Sequence, residues 1–137
     1  MPLPSSKVLQ QRFIASRQLL PGDWANAVND AFGSIQALTA STTQTQAGGS
    51  KITSAGVVVT TGNANDAVVL PKGYAGMEIF VSNISANALG VFPAVGDTIF
   101  PSAQNAVLAQ AASKVATYKC LAVDASGNCT WHRNLSA

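Results

Sequence analysis

From about Ala64 to Trp131 the apolar positions come in short runs, each introduced by a small-polar turn and closed by a Gly or Pro. Asn63-Ala64-Asn65-Asp66-Ala67-Val68-Val69-Leu70-Pro71, Ser85-Ala86-Asn87-Ala88-Leu89-Gly90-Val91-Phe92-Pro93 and Ala103-Gln104-Asn105-Ala106-Val107-Leu108 are three variations on that phrase. Runs so short do not make core helices, and turn signals at close, fairly regular intervals mark an all-β sandwich or barrel. Three divergent copies fall short of a solenoid repeat. The pattern predicts strands over residues 51–54, 56–60, 67–70, 77–82, 89–92, 97–100, 106–109, 115–123 and 129–133, where Val, Ile, Phe, Tyr, Thr and Trp concentrate between turns of Asn, Gly, Pro and Asp. Eight or nine strands over about 85 residues suit two packed sheets, a mainly β, jelly-roll-like sandwich, with a closed barrel as the nearest competitor.

Upstream the period changes. Asp23 follows a Pro-Gly break as a helix N-cap, and Trp24, Val28, Ala31, Ile35 and Leu38 recur at spacings of four, three, four and three, a stripe widened by Phe32. This predicts one amphipathic helix of about four turns, whose Trp24, Val28, Ile35 and Leu38 serve self-association or arm docking. Residues 1–21, broken by prolines 2, 4 and 21, read as an arm with Phe13, Ile14, Leu19 and Leu20 among its apolar anchors. Residues 39–50 are polar, uncharged and end near Gly48-Gly49, the composition of a linker or extended surface segment. The expected division is an arm over 1–21, helix and linker over 22–50, and a β-sandwich over 51–137.

Composition sharpens the functional reading. Charged residues are 10% of the chain, against roughly 25% in ordinary soluble domains. Weak self-repulsion lets many copies pack side by side, and few charges are left to guard exposed strand edges. The net charge of +2 is spread over Lys7, Arg12, Arg17, Lys51, Lys72, Lys114, Lys119 and Arg133, so no nucleic-acid partner is expected. No stretch approaches the ~20 apolar residues that span a bilayer, and no secretory leader opens the chain, which points away from a membrane and to synthesis in a cytoplasm. Cys120 and Cys129 flank a turn-like Asp124-Ala125-Ser126-Gly127-Asn128. A bridge between them calls for direct opposition across a hairpin, and a reducing compartment favours two reduced, buried thiols. With a single distant His they make a poor zinc site.

Enzyme readings lack reagents. His132 is the only histidine, and the carboxylates Asp23, Asp30, Asp66, Glu78, Asp97 and Asp124 sit largely in turns, where Asp caps backbone amides. Neither a Gly-x-Gly-x-x-Gly nor a calcium loop occurs, so no cofactor and no metal is expected. Among Tyr74, Phe92, Phe100, Tyr118 and Trp131 most are expected in the core. Tyr74, in the loop 71–76, is the candidate exposed interface anchor, with a plug packed back on the domain as its alternative.

Ala67-Val68-Val69-Leu70-Pro71, Gly76-Met77-Glu78-Ile79-Phe80-Val81-Ser82-Asn83, Ala86-Asn87-Ala88-Leu89-Gly90-Val91-Phe92-Pro93-Ala94, Gly96-Asp97-Thr98-Ile99 and Thr130-Trp131 together resemble a β-rich module of tailed-bacteriophage structural proteins. Gly22-Asp23-Trp24-Ala25-Asn26-Ala27-Val28-Asn29-Asp30-Ala31 is similar to phage sequences too. The nearest resemblance is to the jelly-roll cement, or decoration, proteins of short-tailed phages such as those of Bordetella. It implies a non-enzymatic virion protein on the outer capsid surface, a homotrimer that clamps neighbouring copies of the major capsid protein. On that reading Phe13, Ile14, Leu19 and Leu20 make the capsid contact. The same module also serves in tail, baseplate or fibre parts that recognise a host glycan, and a free carbohydrate-binding module is a third reading.

Overall fold

Val57 and Val59 point inward while Gly56, Val58 and Thr60 face out, and the same two-residue alternation organises most of the chain. The computed structural model describes residues 35–137. They hold ten strands: β1 (Ile35–Thr39), β2 (Ser50–Lys51), β3 (Gly56–Thr60), β4 (Asp66–Val69), β5 (Glu78–Asn83), β6 (Leu89–Phe92), β7 (Thr98–Phe100), β8 (Leu108–Gln110), β9 (Val115–Val123) and β10 (Cys129–Leu135). A six-stranded sheet runs β1-β3-β5-β9-β10-β7 and a four-stranded sheet β2-β4-β6-β8. Their facing sides share one core, with Val59, Val81, Tyr118, Trp131 and Ile99 from the first and Val68, Leu89 and Val91 from the second. The molecule is mainly β and built of two sheets, as the alternation predicts.

The winding differs from a jelly roll, whose strands are antiparallel. The first six strands alternate between the sheets, so β1, β3 and β5 lie parallel, as do β2, β4 and β6. Ile35, Gly56 and Phe80 thus stand side by side in three successive strands. Antiparallel β8, β9 and β10 close this coil, and β7 pairs parallel to β10. The recurring phrase has a physical counterpart here. Its first two copies contain β4 and β6, its third leads into β8, and these three strands are hydrogen-bonded neighbours in the four-stranded sheet. Although too divergent for a solenoid, the first two copies wind as one locally, whereas β8 runs antiparallel to β6.

Three expectations are corrected. Ile35 and Leu38 are not the last turn of a helix: they lie in β1, on opposite faces, Leu38 beside Val59 over the core and Ile35 outward beside Gly56. Pairing along β3 imposes a period of two on a segment whose spacing suits a helix, a case of tertiary context overriding local pattern. The rest of the expected helix, with Trp24 and Val28, and the arm, with Phe13, Ile14, Leu19 and Leu20, lie outside the described residues.

Of the two readings of the polar stretch after β1, the extended surface segment holds and the linker does not. Ser41 and Ala67 exchange backbone hydrogen bonds of 2.9 and 2.8 Å, and Gln44 Nε2 donates to Ala64 O and to Asp66 Oδ1. Gln46 Nε2 donates to Pro93 O at 2.7 Å, while Gly49 lies so close to Val69 that a Cβ there would stand 2.6 Å from Val69 Cγ2. The stretch is a strap over the outer side of the four-stranded sheet, which is why Ala67 and Val69 are buried as well as the inward Val68. Uncharged Gln and Thr suit it, because amides and hydroxyls satisfy backbone groups without the cost of burying charge. The β-structured body therefore begins by Ile35, ahead of residue 50.

Finally, Cys120 and Cys129 are joined in a disulfide. They are not directly opposed: Cys120 pairs with Trp131 and Cys129 with Val123, with the register shifting between Thr130 and Trp131. That bulge leaves both side chains on the inner face with Cα atoms 6.1 Å apart, inside the range a bridge accepts.

Candidate interaction surface

The outer side of the six-stranded sheet carries an unusual share of apolar side chains. Strand register lines them up in rows: Ile35, Gly56, Phe80, Thr117 and Asn134 across β1, β3, β5, β9 and β10, and Glu78, Lys119, His132 and Phe100 across β5, β9, β10 and β7. Ile35 (69%), Leu121 (59%), Phe100 (57%) and Phe80 (49%) are exposed to a degree rare for such residues, and Val115 joins them. The Phe100 and His132 rings stack with centroids 5.1 Å apart. Lys119 Nζ lies 3.6 Å from Glu78 Oε1, both half-exposed, a pair worth at most about 1 kcal/mol. Phe80, Leu121, Lys119 and His132 help line a hollow of about 390 Å³ on this face. A second, of about 300 Å³, opens on the other sheet between Gln44, Asn65, Phe92 and Val107.

At the mouth of the sandwich lies a polar knot. Asp97 is fully buried, and its Oδ1 accepts from Lys72 Nζ at 2.6 Å and from the Cys129 amide at 2.8 Å, while Oδ2 accepts from the Gly73 amide at 3.1 Å. Lys72 Nζ also donates to Asn128 Oδ1 at 3.1 Å. Gly73 sits on the disulfide, since a Cβ there would stand 2.5 Å from Cys129 Sγ. One carboxylate thus joins the loop 71–76, the turn before β7 and the start of β10.

The other turn carboxylates work similarly. The Asn63 amide, helped by the Gln44 side chain and the Gly62 amide and opposed by burial, holds the Asp66 carboxyl below its ordinary value. At the β9–β10 hairpin the Asn128 and Ser126 amides do the same for Asp124. Burial pushes the Tyr118 phenol up, with Arg133 offsetting part of the shift. Capping is structural work, and among the described residues no three His, Cys, Asp or Glu side chains converge as metal donors.

The sequence-predicted residues are scattered. Tyr74 is 65% exposed in the loop 71–76, so it does not pack back as a plug, and it is not among the residues lining the Phe80 hollow. Ile35 joins the apolar face, but Leu38 packs on the core and is unavailable to a partner. Trp131 and Tyr118 are core as expected, whereas Phe100 is exposed. Phe80 and Leu121 were missed as surface residues. The signal for Phe80 was present in Glu78-Ile79-Phe80-Val81, where alternation puts it on the side of a glutamate. Comparison with protein-family models and with curated sequences finds no match to this chain.

Proposed function

We propose that the chain is a non-enzymatic structural protein of a bacteriophage virion, a cement protein that decorates the outer capsid as trimers and clamps neighbouring major capsid proteins. The observation that carries this reading is the apolar outer side of the six-stranded sheet, with Ile35, Phe80, Phe100 and Leu121 held open to water on a body of two sheets. Large exposed apolar side chains gathered on one sheet face, here set among polar neighbours, support protein–protein contact, and aromatics make its strongest anchors. The low charge adds support, because copies packed over a shell repel one another little. Contacts weak one by one suffice when many are engaged together. In this proposal Phe13, Ile14, Leu19 and Leu20 reach the capsid, and Ile35 and Phe80 contribute to contacts between copies.

Copy number tests the proposal. In purified particles of the source phage we expect this chain and the major capsid protein in a ratio near one to one. A handful of copies would move the protein to the tail, where the glycan-binding reading takes over, and absence from the particle would overturn both. In vitro, Phe80→Ser is expected to weaken self-association at least tenfold by sedimentation while preserving the circular dichroism spectrum. Phe13→Ser with Leu20→Ser is expected to abolish capsid binding.

A further inference from the structure

We propose that Lys72 and Asn128 form an intramolecular amide cross-link, with Asp97 as the proton carrier. Amine, carboxamide and carboxylate meet from three separate loops: Lys72 Nζ lies 2.6 Å from Asp97 Oδ1 and 3.1 Å from Asn128 Oδ1. The site is built to hold them. Asp97 is fully buried and pinned by the Gly73 and Cys129 amides. Asn128 is fixed at the hairpin by its own amide donating to Asp124 Oδ1 at 2.9 Å and its carbonyl accepting from the Asp124 amide at 2.9 Å. Space for the carboxamide comes from Gly96, where a Cβ would stand 2.5 Å from Asn128 Oδ1 and 3.2 Å from its Cγ. At φ +91° that position suits glycine on backbone grounds too.

Such an arrangement replaces a bimolecular encounter with a held one, which is where most of the rate of an uncatalysed amide exchange is gained. Asp97 takes a proton from the Lys72 ammonium, and the neutral amine attacks Asn128 Cγ. Asp97 delivers that proton to Nδ2 as the old C–N bond breaks, and a second proton follows by the same route from the attacking nitrogen. One N–C bond forms and one breaks, with no change of oxidation state. Of the three ammonium protons one stays on the new amide and two leave with Nδ2 as ammonium, while Asp97 ends as the carboxylate it began. The Lys72 side chain is about half exposed, so the ammonium has a path to water. The link would tie the loop 71–76 to the hairpin beside the disulfide, and it does not depend on the function proposed above.

Intact-mass spectrometry of the full-length chain, reduced and denatured, tests this. The expected mass lies below that of the sequence by one ammonia, and a digest yields a peptide joining the Lys72 and Asn128 segments. Lys72→Arg, which keeps a cation beside Asp97, and Asn128→Ala are each expected to lose the link completely. These two variants spare the buried carboxylate, so folding is preserved for the comparison. An unchanged mass after prolonged incubation of the folded protein would overturn the proposal. Ammonia loss that persists in Lys72→Arg is a backbone succinimide at an asparagine and overturns it equally.

Discussion

Gln110 shows how this protein treats a polar side chain in its core. Fully buried, it donates from Nε2 to Val81 O and to Lys114 O, each at 2.9 Å, and its Oε1 accepts from the Tyr118 hydroxyl at 2.8 Å. Tyr118→Phe deletes one donor and leaves Oε1 unpaired in an apolar setting, so we expect a loss of about 1–3 kcal/mol in urea unfolding. The buried phenol has a raised pKa, so its neutral form is the one the fold favours. Asp66 titrates in the opposite sense. Its folded pKa is below the ordinary 3.8, so the stability it contributes is complete above that value and is lost as pH falls through the lower folded pKa. Asp66→Asn is expected to flatten that acid limb in a pH series of thermal unfolding and to lower stability at neutral pH.

Elements here are defined by what passes over them as much as by their own residues. The loop 71–76 crosses the disulfide at Gly73, where a Cβ would stand 2.5 Å from Cys129 Sγ, 2.7 Å from Cys129 Cβ and 3.0 Å from Trp131 Cζ2. None of these atoms sits at the free end of a flexible side chain. Gly73→Ala is therefore expected to destabilise by about 1–3 kcal/mol in chemical denaturation through overpacking. Strand β4 makes the same point from its outer side. Its residues 67 and 69 are buried because the strap of residues 41–49 covers them, although that strap reads locally as a linker. Ile35–Thr39 is a further case, since helix-compatible spacing yields to pairing with β3.

For the molecule as a whole the disulfide is the main covalent constraint among the described residues, and it closes the β9–β10 hairpin over a sequence separation of 9. In the chain-entropy picture a loop of that size contributes about 2–3 kcal/mol. The double variant Cys120→Ala, Cys129→Ala is expected to keep its far-ultraviolet circular dichroism and to lose about that much in urea unfolding. A drop of less than about 0.5 kcal/mol would assign the hairpin's stability to its hydrogen bonds and to the Asp97 knot instead.

Local chemistry wrote eight of the ten strands into the chain and touched a ninth, β2, only at Lys51. Turn residues and two-residue alternation act over a few positions, so runs such as Gly56–Thr60, Leu89–Phe92 and Val115–Val123 are visible without any partner. The tertiary structure decided the rest: that alternate strands wind parallel, that residues 35–51 belong to the β body, and that a bulge brings Cys120 and Cys129 together. It also decided which side of the large sheet stays open, and so turned Phe80, Phe100 and Ile35 into a surface. These outcomes depend on pairings between distant segments, because the chain's own periodicity marks two faces on each strand and only the second sheet, by covering one of them, determines which is the core.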